Sequence, residues 1–305
     1  MVVRPAKRDY LGPSFVYSAA GSYNGSTHPS GGCYLGPNPS PAALQIIESK
    51  PRSMDSVMKQ VEFVVGKNTL KGALFFPDAL KEKNPAILFI HGWTGKKLTS
   101  YQYAKALAKL GYISLLFDLR GHGESEGDIN TATTKEFLDD VLAAYDYLRS
   151  VPGVDQDNIS VVGSSYGGYL GSMLTAKRKV KRLALRVPAD YANDLFNQSK
   201  MKTTGKTTSE IFAWRAVVRK PPETFALEAI SHFDGDVLII EAEKDDVVHF
   251  QTLHNYRDAI KNQKKVTYVI MNGASHSARD GSFRDQIENI LVAWFKDRSA
   301  REEYS

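Results

Sequence analysis

A chain of 305 residues, 42% hydrophobic and 24% charged, has ample length for a large buried core and is far too long for a disulfide-stapled mini-protein. Its single cysteine, Cys33, excludes an internal disulfide and an all-cysteine zinc site. The net charge is +5, but residues 1–53 carry +3 of it, and a near-neutral remainder argues against a nucleic-acid partner. From Ser18 to Ala43 the chain is rich in Gly, Ser and Pro without any apolar period, so residues 1–53 are expected to be a disordered leader or linker. No apolar run approaches the ~18 residues of a membrane helix, and no secretory h-region is present; a cytoplasmic protein without a membrane span is the expectation.

Regular patterning begins after Met54, and residues 54–305 read as one folded unit. Gln60–Val65 and Leu70–Phe76, separated by Gly66-Lys67-Asn68, form an antiparallel hairpin at a sheet edge. Apolar runs at Ala86–Ile90, Ile113–Asp118, Ile159–Gly163, Arg182–Val187, Val237–Glu241 and Val266–Met271 then alternate with helical patterns. Those helices are placed at Ser100–Leu110, Thr134–Ser150, Tyr166–Ala176, Phe250–Asn262 and Ser282–Asp297. The alternation specifies an α/β fold: a mostly parallel, eight-stranded sheet with helices on both faces. Between Val187 and Val237 the connection is far longer than the roughly 10–15 residues a crossover needs, and an inserted cap is expected over about 189–233, with helical stretches near Tyr191–Ser199, Glu210–Arg219 and Glu223–His232.

Gly163-Ser164-Ser165-Tyr166-Gly167 is a G-x-S-x-G after an apolar strand and before a helix. A nucleophile on so tight a turn needs small residues two positions to either side, which favours Ser165 over Ser164, for which Val162 would fill a position that must be small. A serine hydroxyl needs a base and an orienting acid. The loop after Val237–Glu241 offers Asp245, with Asp246 in reserve, and the loop after Val266–Met271 offers His276. Oxyanion donors are sought at the backbone N–H groups of Trp93, in His91-Gly92-Trp93-Thr94-Gly95, and of Tyr166. Substrate contacts are sought at Arg186, whose guanidinium needs a carboxylate partner or a substrate contact if buried, and at Phe212 and Trp214 in the insertion. The surplus of Lys and Arg between Lys200 and Lys220 reads as a solvated outer face of the cap, with steering of carboxylate- or phosphate-bearing substrates toward a mouth as the alternative. No His/Asp/Glu spacing suggests a metal site, and no cofactor is expected.

Together HGWTG, DLRGHGES at Asp118–Ser125, GSSYG, EKDDVV and the GASH loop resemble the α/β-hydrolase superfamily from about residue 58 onward. The likeness is to compact capped serine hydrolases: cinnamoyl (feruloyl) esterases, monoacylglycerol lipases and serine-aminopeptidase-like proteins. It implies a lid after the sixth strand and a Ser165–His276–Asp245 triad, and it makes His122 part of a structural turn and His91 a brace between loops. The expected activity is hydrolysis of a small carboxylic ester through an acyl-serine. The same triad also serves thioesters and amides, and some members of the fold bind ligands without catalysis. Oligomeric state stays open, with a homo-oligomer compatible with this reading.

Overall fold

A computed structural model describes residues 58–201, 208–278 and 280–302. The leader expected over residues 1–53 lies outside them. Eight strands form one sheet in the order β1-β2-β4-β3-β5-β6-β7-β8. They are β1 Met58–Val65, β2 Asn68–Phe75, β3 Asn84–Ile90, β4 Ile113–Phe117, β5 Val154–Ser164, β6 Arg182–Arg186, β7 Asp236–Lys244 and β8 Val266–Ser275. β1 and β2 form the expected antiparallel edge hairpin, its Val65↔Asn68 pair closed by Gly66-Lys67 with Gly66 at φ 61°. From β4 across to β8 every pairing is parallel.

Strand residues alternate between two cores. Ala86, Leu88 and Ile90 of β3 join one apolar cluster with Phe137, Leu170 and Tyr256, while Ile87 and Phe89 join the other with Leu107, Leu291 and Phe295. The helices divide accordingly: α2 Thr134–Ser150, α3 Tyr166–Thr175 and α6 Phe250–Ala259 cover the first face, and α1 Tyr101–Ala108 and α7 Gly281–Glu302 the second. A capping box starts α2, with the Thr133 hydroxyl accepting from the Glu136 N–H and the Glu136 carboxylate accepting from the Thr133 N–H.

Two strands run past their expected ends. β7 and β8 stay paired to Lys244↔Ser275, beyond the apolar limits Glu241 and Met271. β8 lies at the sheet edge, and its outer residues Asn272 and Gly273 are exposed, so the ladder continues where hydrophobic patterning stops. In the β6–β7 connection the sequence reading needs correction: Tyr191–Ser199 holds only a 3-10 turn at Asn193–Leu195. There the Asn193 side chain accepts from the Phe225 N–H, and Ser199 forms an isolated bridge with Thr133, so tertiary bonds replace the helical ones. Helices do form at α4 Thr208–Arg215 and at α5 Phe225–Ser231, the latter capped by Thr224.

Candidate active site

Register brings the three predicted reacting side chains together. Gly163 at the end of β5 pairs with Ile90 at the end of β3, and Ser164 pairs with Arg186 at the end of β6. Lys244 and Ser275 are partners at the last rung of β7 and β8, so Asp245 and His276 leave the sheet side by side. His276 Nε2 lies 3.0 Å from Ser165 Oγ, and its Nδ1 lies 2.8 Å from Asp245 Oδ2. Asp245 Oδ1 also accepts from the N–H groups of Val247 (2.9 Å) and Val248 (2.7 Å), which fix the carboxylate's orientation. Asp246 is exposed and takes no part.

The elbow itself is strained, as a strand-to-helix reversal in one residue must be: Ser165 sits at φ 53°, ψ −115°. Its N–H donates to the Arg186 carbonyl at 2.9 Å, and its carbonyl accepts from Gly168, Tyr169 and Ala189. A Cβ on Gly163 would come within 2.4 Å of the Gly167 carbonyl oxygen, and one on Gly167 within 2.1 Å of the Ile90 carbonyl oxygen. The spacing of the glycines is therefore a steric requirement of the backbone crossing.

Beside the elbow, a Cβ on Gly92 would stand 3.3 Å from Ser165 Cβ and 3.9 Å from Ser165 Oγ, so the loop carrying Trp93 runs against the serine. Tyr166 opens α3, where a helix leaves its first amides without internal partners. Two neutral imidazoles hold these loops. His91 lies 2.8 Å by Nδ1 from the Gly92 carbonyl and accepts from the Leu119 N–H at Nε2; His122 faces the Arg120 carbonyl by Nδ1 and accepts from the Thr94 N–H. One carbonyl and one amide for each ring leave no place for a second proton. Burial pushes His91 down to about 4 and also lowers His122.

The sequence model of the prolyl oligopeptidase family matches residues 97–301, two-thirds of the chain. The chain belongs to the prolyl oligopeptidase family. Among relatives of this family member, an uncharacterized protein of Mycobacterium tuberculosis is 26% identical over 207 residues, covering 68% of each chain. The palmitoyl-protein thioesterase ABHD10 of Bos taurus is 26% identical over 224 residues, covering 66% of this chain and 70% of its own. Est1E from Butyrivibrio proteoclasticus, solved with ferulic acid, aligns with a TM-score of 0.61 and 18% identity over 78% of this chain and 99% of its own. The fold is thus the α/β-hydrolase fold.

In this member of the prolyl oligopeptidase family Arg186 meets protein groups: Nη1 donates to Ser164 Oγ at 2.7 Å and Nη2 to the His276 carbonyl. Phe212 packs edge-on against His249 with centroids 5.1 Å apart, and Trp214 carries the Arg219 guanidinium 3.9 Å over its ring. His249 caps α6, and His232 is exposed and bonded to Glu228 at the end of α5. The reading of a solvated basic face is overturned at two positions: Lys200 is 4% exposed and Arg215 5%. Their long stems and flat or compact cations pack on aromatic rings, a possibility that charge counting along the chain does not reveal. Among the described residues no helix is long and apolar enough to cross a membrane, and no group of three His, Cys, Asp or Glu is placed to hold a metal ion.

Proposed function

We propose that this protein is a serine hydrolase that cleaves small carboxylic esters through an acyl-serine. The observation that carries the reading is the line Ser165 Oγ, His276 Nε2, His276 Nδ1, Asp245 Oδ2, with separations of 3.0 and 2.8 Å. In the first half-reaction His276 takes the Ser165 proton as Oγ attacks the carbonyl, and then gives it to the leaving alcohol. In the second, His276 deprotonates a water that releases the acid and restores Ser165. Asp245 holds the proton on Nδ1 and stabilises the imidazolium. The N–H groups of Trp93 and Tyr166 receive the developing oxyanion, a contribution of about 3 kcal/mol per donor in such sites. The β6–β7 connection serves as a cap over the substrate.

The test is hydrolysis of a 4-nitrophenyl ester series, from acetate to palmitate, together with a methyl hydroxycinnamate, by the wild type and by Ser165→Ala. The expected result is turnover that falls by about 10³-fold or more in the variant. Equal rates in both would overturn the assignment of Ser165. Family membership favours a second reading, an amide or peptide bond cleaved by the same groups. Faster Ser165-dependent release from aminoacyl or prolyl anilides than from esters would establish it.

A further inference from the structure

Within the β6–β7 connection two cations converge on one phenol, and the buried Asp190 carboxyl also faces Arg215. Lys200 Nζ lies 4.5 Å from the centroid of Tyr191, 5.0 Å from that of Trp93 and 5.6 Å from that of Tyr166. The Arg215 guanidinium lies 5.0 Å over the other cation's nearest ring, Tyr191. Both side chains are at least nine-tenths buried. Burial pushes the Tyr191 hydroxyl up, but Lys200 and Arg215 outweigh it and hold its pKa below the ordinary phenol value.

The cluster is anchored to the body of the protein. The Lys200 N–H donates to the Ala132 carbonyl at 3.0 Å, and the adjoining Ser199 is bridged to Thr133 and bonded through Oγ to the Asn130 carbonyl. Arg215 Nη1 donates to the Val247 carbonyl at 2.9 Å, two residues from Asp245, and the Arg215 carbonyl accepts from Thr252 Oγ1. One donor is left over: Arg215 Nε is buried with no hydrogen-bond partner among the described residues. A guanidinium N–H withdrawn from water without an acceptor is costly, and an anionic oxygen is the acceptor that suits it best. Trp93 and Tyr166, whose rings carry Lys200, directly follow Gly92 and Ser165 in the chain, so the two cations lie one layer of rings from Ser165.

We propose that Lys200 and Arg215 form an anion subsite within the cap, which receives a carboxylate or phosphate carried by the ester that Ser165 cleaves. The proposal rests on the acyl-serine reading for its placement in the reaction. It distinguishes the two cations from a purely structural clamp on Tyr191, because a clamp does not discriminate among substrates by charge.

The experiment compares kcat/KM within two matched pairs: monomethyl adipate against methyl 6-amino-6-oxohexanoate, and methyl 6-phosphonooxyhexanoate against methyl 6-hydroxyhexanoate. The wild type is expected to favour the anionic member of at least one pair by about tenfold or more, as one charge-assisted hydrogen bond in a dry site supplies. Arg215→Met and Lys200→Met are each expected to reduce that ratio by about tenfold. The favoured pair tells carboxylate from phosphate. A ratio of one or less in both pairs for the wild type overturns the subsite, whether or not the variants fold. If no ester is turned over in a Ser165-dependent way, the catalytic reading fails by itself, and calorimetric titration of adipate and inorganic phosphate decides the subsite. Binding by the wild type that Arg215→Met loses supports it, and absence of binding overturns it.

Discussion

On the sheet side, the contacts that hold the Ser165 main chain and its neighbouring loops are backbone and neutral: glycines crossing carbonyls, His91 and His122 spanning amide and carbonyl, and Ser165 bonded to Arg186, Gly168 and Ala189 through its main chain. On the connection side they are charged: Asp190, Lys200 and Arg215 are buried around Tyr191, with Arg219 close to Asp190. Neutral backbone contacts are set by chain geometry and respond to pH only where an imidazole such as His91 is forced to take a second proton. Buried charges are held by compensation, and each removal exposes the others. The first side is therefore a fixed frame, and the second depends on the balance of its charges.

The largest expected effect breaks the sheet side at its acid. Asp245→Asn keeps the shape but supplies an amide that cannot accept the Nδ1 proton and the two loop amides together, so His276 turns to the unproductive tautomer. A fall of about 10⁴-fold in kcat is expected, read from steady-state hydrolysis; a fall of less than tenfold would remove Asp245 from the mechanism. Next comes Gly167→Ala, whose methyl would stand 2.1 Å from the Ile90 carbonyl oxygen. Main chain cannot yield as a side-chain tip can, and a loss of more than about 4 kcal/mol is expected in denaturant unfolding, the exceptional end of single substitutions. Gly171→Ala is the comparison, because there the nearest atom is a Val161 methyl at 3.3 Å that can rotate or shift.

This difference between the sides also governs what the sequence discloses. The elbow is a local device: Gly163, Ser165 and Gly167 are spaced by the crossing they make, and the strand before them and helix after them are written in adjacent residues. Asp245 and His276 are legible as a carboxylate and an imidazole on loops after consecutive strands, whereas the Lys244↔Ser275 rung that sets them side by side is not, because edge residues lose their apolar pattern. The connection side is largely illegible in the sequence. Lys200 and Arg215 look like any surface cations, since their burial depends on Trp93, Tyr166 and Tyr191, which come from three distant segments. The cost of burying a guanidinium marks Arg186 in the sequence, but its partners, a hydroxyl and a carbonyl, carry no charge for a sequence argument to match.

Acid and base separate the two sides with a smaller effect. Burial holds His91 at about 4, well below an ordinary imidazole. The unfolded chain therefore binds the extra proton between about pH 4 and 6.5, and the sheet side gains stability as pH rises through that window. Burial pushes Asp190 up to about 7, against its bonds from Thr224 Oγ1 and the Tyr191 N–H. Here the folded chain binds the extra proton between about pH 4 and 7, and the connection side loses stability as pH rises. The two slopes oppose each other from about pH 4 to 6.5. Relative to the wild type, Asp190→Asn is expected to gain about 2–4 kcal/mol between pH 4 and 8, and His91→Asn to lose about 3 kcal/mol between pH 4 and 7. Urea midpoints across pH provide the measurement; differences that do not vary with pH would mean that neither group is held away from its ordinary ionisation.

The smallest effect lies where the sides meet. Arg186, at the end of β6, ties Ser164 to the His276 carbonyl, and so links the turn of Ser165 to the loop of His276. Burial lowers its pKa, although Tyr103 and Asp245 partly offset this. If it acts only by holding His276 in line, Arg186→Met should reduce kcat by about tenfold with KM nearly unchanged, equivalent to about 1.4 kcal/mol of transition-state stabilisation. Ser164→Ala, which removes one of its two anchors and leaves the His276 bond in place, should cost about twofold, and Arg186→Lys should restore part of the loss through a single donor. The opposite pattern, KM rising for anionic esters while kcat holds, would make Arg186 a substrate contact and extend the charged wall across to the sheet.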